Sequence, residues 1–409
     1  MLVYILNKDG MPLMPCSPKV ARNLLRDDKA KAVQRTPFTI QLLYGSSGYK
    51  QYIILGVDTG SKVIGLSATT NRKEVFSAEV QLRTDIVRNI ANKKQFRRVR
   101  RSRKTRYRQA RFLNRRKPIG WLAPSIRQKI DTHLTIIDRV HGLLPITNII
   151  VEVAAFDIQK IKDPNISGTE YQEGEQLDFS NTREYILYRD NHTCQHCNGK
   201  SKDKILNVHH IESRKTGGDS PGNLVTLCKT CHDAYHTGNV DLNIRRGSSY
   251  RDATFMGIMR RILYNKLLVL YPNVSMTYGY ITKNTRIVNN LPKEHRSDAL
   301  CITGNPDIIR DNMWYFYRKV RCQNRKIHMM TINKGGTRKL CQSPYIIHGF
   351  RLFDKVRYDS TDYFIFARRL SGSFNISLLD GVTLSRDIIY KKLTLLERRN
   401  TILIERNYR

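Results

Sequence analysis

The chain has 409 residues, with 71 Lys and Arg against 35 Asp and Glu, a formal net charge of +36, and 40% apolar residues. That length allows two or three domains and at least one real core. The charge argues against a compact protein without an anionic partner: such a surplus repels itself unless a polyanion neutralises it, and nucleic acid fits better than a membrane surface. No apolar run approaches the roughly eighteen residues of a transmembrane helix.

In chain order, MLVYILNKDG reads as a strand and turn rather than a signal peptide. Residues 1–50 are expected to hold short strands and a basic helix, PKVARNLLRDDKAKAV. Residues 51–70 read as a β-hairpin: an apolar strand over 51–57, a polar turn over 58–62 and a second strand. A basic segment follows at 86–117. Between Arg97 and Lys117 it carries Arg97, Arg98, Arg100, Arg101, Arg103, Lys104, Arg106, Arg108, Arg111, Arg115 and Arg116, and no acid. Arg and Lys are good helix formers, and Val99, Phe112 and Leu113 are too few for a core stripe. The segment therefore predicts one helix of about 45 Å whose packing partner is phosphate, since the Arg fork binds phosphate oxygens in pairs.

Residues 125–144 carry Ile126, Ile130, Leu134, Ile137, Val140 and Leu144 at helical spacing, ended by Pro145. NIIVEVAAF follows as a buried strand. Residues 158–180 are polar and aperiodic and read as a linker. After a Cys/His-rich unit, a helix is expected over 252–270, then a strand, VSMTYGY. The next helix starts in LPKEHRSDALCI. From Trp314 onward the pattern is β-like (KIHMMTI, YIIHGF, DKVRYD, YFIFARRL, FNISLL) and suggests a small barrel-like domain.

The eight Cys suit a reducing compartment and a metal site better than a disulfide scaffold. Cys194, Cys197, Cys228 and Cys231 form two C-x-x-C pairs, and four thiolates can close a tetrahedral, structural zinc site. Between and after these pairs stand VHHIESRKTGGDSPGNLVTLC and CHDAYH. These motifs resemble the HNH nucleases, a ββα-metal fold. The resemblance implies His210 as general base, His209 and His232 as ligands of a divalent metal, and Asn223 as the residue that braces the turn orienting His210 or touches the metal. His192, His196 and His236 read as surface or supporting residues. The competing reading is a zinc-ribbon binding module with structural histidines.

Asp58 ends an apolar strand. Glu152 sits inside a buried one, where a lone charge is costly without a compensating partner. His295 and Asp298 share a helix face at i, i+3. GVDTGS, VEVA and HRSDA resemble the three split motifs of a RuvC-type, RNase H-like nuclease. This implies Asp58, Glu152 and Asp298 as Mg²⁺ ligands and His295 as the base or water-activating group. An HNH unit inside a split RuvC, with an Arg-rich segment after the first motif and NKDGMPLMPCSP at 7–18, resembles the IscB proteins, relatives of the two-nuclease CRISPR effectors.

The implied fold class is α/β multidomain: an RNase H-like core split in three, an inserted ββα-metal HNH domain with structural zinc, an Arg-rich bridge helix and a small C-terminal β domain. The implied domains are 1–50 (PLMP), 51–85 (RuvC-I), 86–117 (bridge helix), 118–157 (RuvC-II), 158–180 (linker), 181–248 (HNH), 249–312 (RuvC-III) and 313–409, which meets the target flank. The implied activity is cleavage of double-stranded DNA guided by a bound non-coding ωRNA. HNH cuts the guide-paired strand and RuvC the displaced one, with Mg²⁺ or Mn²⁺ at both sites. One chain per ribonucleoprotein is expected, in the prokaryotic cytosol and without a membrane partner. A guide-independent nuclease of the junction-resolving or homing kind, and a cleavage-dead nucleic-acid-binding protein, are the competing classes.

Overall fold

The computed structural model describes residues 2–102, 120–153, 182–213, 220–245, 251–323, 344–381 and 383–408, together with Gly247 and Gly335. The chain divides into two compact units, one of Met1–Ala155 with Ile258–Arg409, the other of Phe156–Gly257.

The first unit is built on a seven-stranded mixed sheet. Its heart is a meander of β4 (Ile54–Asp58), β5 (Val63–Thr69) and β6 (Glu74–Gln81), each antiparallel to the next. The predicted hairpin over 51–70 is thus present. On one side β7 (Asn148–Glu152) runs parallel to β4, and β10 (Val274–Thr277) runs parallel to β7. On the other side β11 (Met313–Lys319) is parallel to β6, and β17 (Ile402–Tyr408) is antiparallel to β11. Leu55, Val57, Leu66, Ala68 and Val151 are wholly buried, so these central strands read as near-continuous apolar runs rather than alternating ones.

A three-stranded sheet packs β1 (Tyr4–Leu6) parallel to β3 (Thr39–Leu42), with β2 (Ala30–Gln34) antiparallel to β3. The Tyr4 hydroxyl donates to the Val75 carbonyl at 3.1 Å and ties this sheet to β6. Helix α1 (Pro18–Arg26) is capped by Ser17, whose Oγ accepts from the Val20 amide, with Pro18 opening the helix. It stops earlier than predicted. Asp28 adopts φ +50, a left-handed turn that ends the helix, so that Ala30–Gln34 form a strand.

The basic segment forms helix α2 (Ile86–Ser102), about 25 Å long. Arg97 and Arg98 are exposed, and no residue of α2 with a described side chain is buried. Arg100 and Arg101 lie on its backbone. The rest of the predicted helix, with Arg103, Lys104, Arg106, Arg108, Arg111, Arg115 and Arg116, lies outside the described residues, as do the linker over 158–180 and KIHMMTI.

Helix α3 (Pro124–His141) buries Ile130, Ile136, Ile137 and Val140. It ends one turn before Pro145, at Gly142. Residues 313–409 depart from the single small domain expected. Their first and last strands, β11 and β17, complete the large sheet. β12 (Lys355–Tyr358), β13 (Thr361–Arg368), β14 (Ser373–Ser377), β15 (Thr383–Ile389) and β16 (Thr394–Glu397) form a separate antiparallel sheet. Its order is β15-β14-β13-β12-β16, around a core of Val356, Ile365, Phe374 and Ile376. Among the described residues no pairing closes it into the expected barrel. YIIHGF is a turn held by the Ile347–Phe350 bridge rather than a strand.

The second unit contains helix α4 (Thr182–Arg189), the antiparallel pair β8 (Leu206–His210) and β9 (Leu224–Cys228), and helix α5 (Lys229–His236). Buried Asp190, just after α4, accepts the Thr226 amide of β9 at 2.8 Å. Arg189 donates to the Leu224 carbonyl at 3.0 Å. Helix α6 (Arg251–Leu270) follows, then α7 (Gly279–Val288) and α8 (His295–Ile302), both in the first unit.

Candidate functional site

Strand ends and one short helix assemble the first cluster. Asp58 closes β4 and Glu152 closes β7. Because these strands run parallel with Val57 opposite Val151, both carboxylates emerge at the same sheet edge. Thr59 donates to the Glu152 carbonyl at 2.5 Å and fixes the turn after β4. Helix α8 lies directly against β4 and β5, and glycine makes this possible. A Cβ on Gly56 would stand 2.1 Å from the Ala299 carbonyl oxygen, and one on Gly65 would stand 1.9 Å from that of His295. The helix is further fixed by Arg296, 7% exposed, whose guanidinium covers the Trp314 ring at 4.2 Å and bonds Glu294.

That seating delivers His295 and Asp298. His295 Nδ1 lies 2.6 Å from Asp58 Oδ2, and this bond raises the imidazole pKa. Arg286, on α7, places Nε 2.8 Å from Asp298 Oδ1. Burial, with the Asp58 charge next, raises the Asp298 pKa. Glu152 is pushed up to about 7, first by burial and then by Asp58 and Asp298, against a lowering bond from Thr282. The four predicted residues thus act on one another electrostatically, although among the described residues only the thiol and imidazole groups below bring three or more ligand atoms within 4.8 Å. Sequence reading missed Arg286: a lone Arg on an amphipathic helix gives no signal before its neighbour across space is known.

In the second unit the four thiols of Cys194, Cys197, Cys228 and Cys231 lie within 4.8 Å of one another. Cys197 and Cys228 sulfurs are 3.9 Å apart, close to the spacing of about 3.8 Å that tetrahedral Zn–S bonds of about 2.3 Å require. Ser201 donates to the Cys228 sulfur at 3.1 Å. It also heads the causes that draw the Cys197 pKa down to about 6, favouring the thiolate a metal needs. The donor set fits a structural zinc.

A second cluster joins His209, His232 and His236, whose ring nitrogens also fall within 4.8 Å of one another. His209 comes from β8. His232 and His236 are four apart on α5 and share its face. Burial, then the neighbouring imidazoles, lowers the His209 pKa to about 4, so its ring is neutral at pH 7. Its buried Nε2 has no hydrogen-bond partner, which is what a ligand nitrogen looks like before its metal. Sequence reading left His236 among the surface or supporting residues; the structure places it with the predicted ligands. The signal was present as H-x-x-x-H on a helix. Three imidazoles suit borderline metals such as Zn²⁺, Ni²⁺ or Fe²⁺ better than Mg²⁺.

His210 follows His209 on β8 and lines the same cavity of about 380 Å³. Asn223 is wholly buried. Its Oδ1 accepts the Glu212 amide at 2.9 Å and its Nδ2 donates to the Glu212 carbonyl at 3.0 Å. These bonds pin the chain two residues beyond His210. His192 and His196 lie outside this cluster.

Two family models match the chain. That of the RRXRR protein family covers residues 3–174, and that of the HNH endonucleases covers residues 194–238. The two matches, in this order along the chain, support a relationship to the IscB-like two-nuclease proteins. The HNH endonuclease match contains both the thiol and the histidine clusters, the donor sets a metal-dependent nuclease segment needs. No curated protein matches the sequence. Among solved structures, Streptococcus thermophilus Cas9 in complex with the AGAA PAM aligns at 14% identity and TM-score 0.33, over 50% of this chain and 29% of that one. The Type II-C Cas9 from Actinomyces naeslundii aligns at 11% identity and TM-score 0.25, over 62% of this chain and 60% of that one. No helix of the described residues is long and apolar enough to cross a membrane.

Proposed function

We propose that this IscB-like chain is an RNA-guided endonuclease that cuts both strands of DNA with two separate sites. The observation that carries the reading is the presence, in two different units, of two clusters of opposite donor chemistry: carboxylates with His295 in one, imidazoles in the other. A single-site nuclease has no use for both. The meander β4-β5-β6 flanked by parallel β7 and β10, with acids at the strand ends, supports an RNase H-like core split in three. Exposed α2, with no buried side chain among those described, supports a bridge helix that packs on phosphate. The domain boundaries inferred from sequence stand as part of this proposal, except that β11 and β17 belong with the large sheet.

In the first unit, Asp58, Glu152 and Asp298 hold divalent metal, and His295 handles a proton at the attacking water. In the second, His209, His232 and His236 hold the metal, His210 takes the proton from water, and Asn223 keeps the His210 strand in place. Bound metal supplies charge stabilisation on the scissile phosphate and the leaving oxygen. The HNH unit cuts the guide-paired strand and the first unit the displaced one. The five-stranded sheet reads the flank of the target, while base pairing reads its sequence. The ribonucleoprotein holds one chain and works in the prokaryotic cytosol.

The test is to purify the chain from cells carrying its native locus, sequence the RNA bound to it, and assay DNA matching that RNA with divalent metal present. Cleavage that depends on the RNA supports the reading. Equal cleavage by RNA-free protein favours a guide-independent nuclease, and RNA-dependent binding without cleavage favours a binding protein.

A further inference from the structure

A cavity of about 490 Å³ in the first unit lies away from the carboxylate cluster. Its walls come from four sources: the turn after β2, the end of α3, β11 with β17, and the five-stranded sheet. Arg139, Lys355, Arg398 and Arg399 line it, against Asp138 and Glu397. These acids offset part of the positive charge, Asp138 acting on Arg139 and Glu397 on Lys355. Glu397 accepts the Thr36 hydroxyl at 2.8 Å. Asp138 faces the Tyr271 phenol, whose pKa it helps raise. Arg398 spends its charge on Asp354 at 3.0 Å. Four cations thus face two acids across the wall, which keeps a positive surplus.

Lys355 is only 6% exposed. Its ammonium donates to Thr36 Oγ1 at 3.1 Å and lies 4.0 Å from Asp362. Burial lowers its pKa and that of Arg139, so both groups gain from an added negative charge. Arg399 has a buried Nη1 without a hydrogen-bond partner. Part of the remaining wall is aromatic: Phe353, braced edge-on by Phe366 at 5.5 Å, and Phe364, beside aliphatic Leu143, Ile402 and Leu403.

We propose that this cavity takes one unpaired nucleotide of the bound RNA, with its phosphate among Arg139, Lys355 and Arg399 and its base against Phe353. The inference rests on the RNA-guided reading above. The volume is that of a small-ligand site, cations with planar forks match phosphate, and an aromatic wall matches a base face. RNA is favoured over target DNA because loops and bulges present unstacked nucleotides, whereas a duplex must pay to extrude one. A nucleotide seated here would tie the turn after β2, α3 and the five-stranded sheet together, so the RNA would act as a structural strut at a place the protein leaves positively charged.

The experiment is ultraviolet crosslinking of the full chain with the RNA that purifies with it, followed by digestion and mass spectrometry. The expected result is a ribonucleotide adduct on the peptide containing Phe353. Arg399→Gln and, separately, Arg139→Gln should reduce that adduct at least fivefold while leaving adducts on α2 unchanged. Each should weaken RNA binding and lower the salt slope by about 0.7. Lys391→Gln, an exposed charge outside the cavity wall, should leave the Phe353 adduct intact. Thermal melts of each variant separate this from misfolding. Ribonucleotide adducts elsewhere with none at Phe353 would overturn the inference alone. So would a deoxyribonucleotide adduct there, or an adduct indifferent to both substitutions. A chain that purifies with no RNA would overturn the RNA-guided reading and this inference with it.

Discussion

His295 Nδ1 stands 2.6 Å from Asp58 Oδ2, although 237 residues separate them in the chain. The contact exists because α8 sits on Gly56 and Gly65, where any side chain would collide with helix backbone. Gly65→Ala or Gly56→Ala should therefore push α8 off the sheet, at a cost of about 3 kcal/mol. Cutting of the displaced strand should fall at least a hundredfold, while the HNH cut persists. Strand-specific end labels and a thermal melt check both parts.

Glu152 carries the pH prediction. Its folded pKa of about 7 exceeds the usual value of 4.5, chiefly through burial. The folded protein then binds more protons than the unfolded chain between these values, so stability falls as pH rises from about 4.5 to about 7 and levels off above. In chelator, Glu152→Gln should be neutral near pH 4 and stabilising above pH 7, by up to about 3 kcal/mol. Melts across that range test it. With metal added the sign should reverse in activity, because Gln removes a ligand charge.

Zinc should be structural. Native mass spectrometry should find a tightly held zinc that Cys194→Ser loses, and limited proteolysis should then open residues 182–245 while leaving the first unit intact. Normal HNH cutting by the zinc-free variant would refute the assignment.

His236→Ala should lower metal affinity and HNH cutting about 10–100-fold, as His232→Ala should. Manganese should support that cut better than magnesium, while the carboxylate site accepts either. Equal activity of His236→Ala and the unaltered chain would return His236 to the surface.

Much of both sites was legible in the sequence because each motif carries its own chemistry. C-x-x-C pairs announce a tetrahedral set, and an acid inside IIVEVAAF announces a need for compensation. The α2 helix was legible from what it lacks, an apolar stripe. Other features depended on relations across space. Arg286 gains meaning only beside Asp298, and β11 and β17 leave the C-terminal sheet because their partners, β6 and each other, lie far away in sequence. The early end of α1 turned on Asp28 adopting a left-handed backbone, which an otherwise helical pattern hides. His236 stands four residues after His232, but nothing along the chain shows that this helix face turns toward His209.

The division of labour between the two clusters is the central claim. Its most direct measurement is strand-resolved cleavage of a doubly labelled DNA duplex by the RNA-loaded chain, comparing Asp58→Ala with His210→Ala. The account predicts that Asp58→Ala nicks only the guide-paired strand and His210→Ala only the displaced strand. Loss of both cuts from either single substitution, with RNA and DNA binding intact, would contradict it.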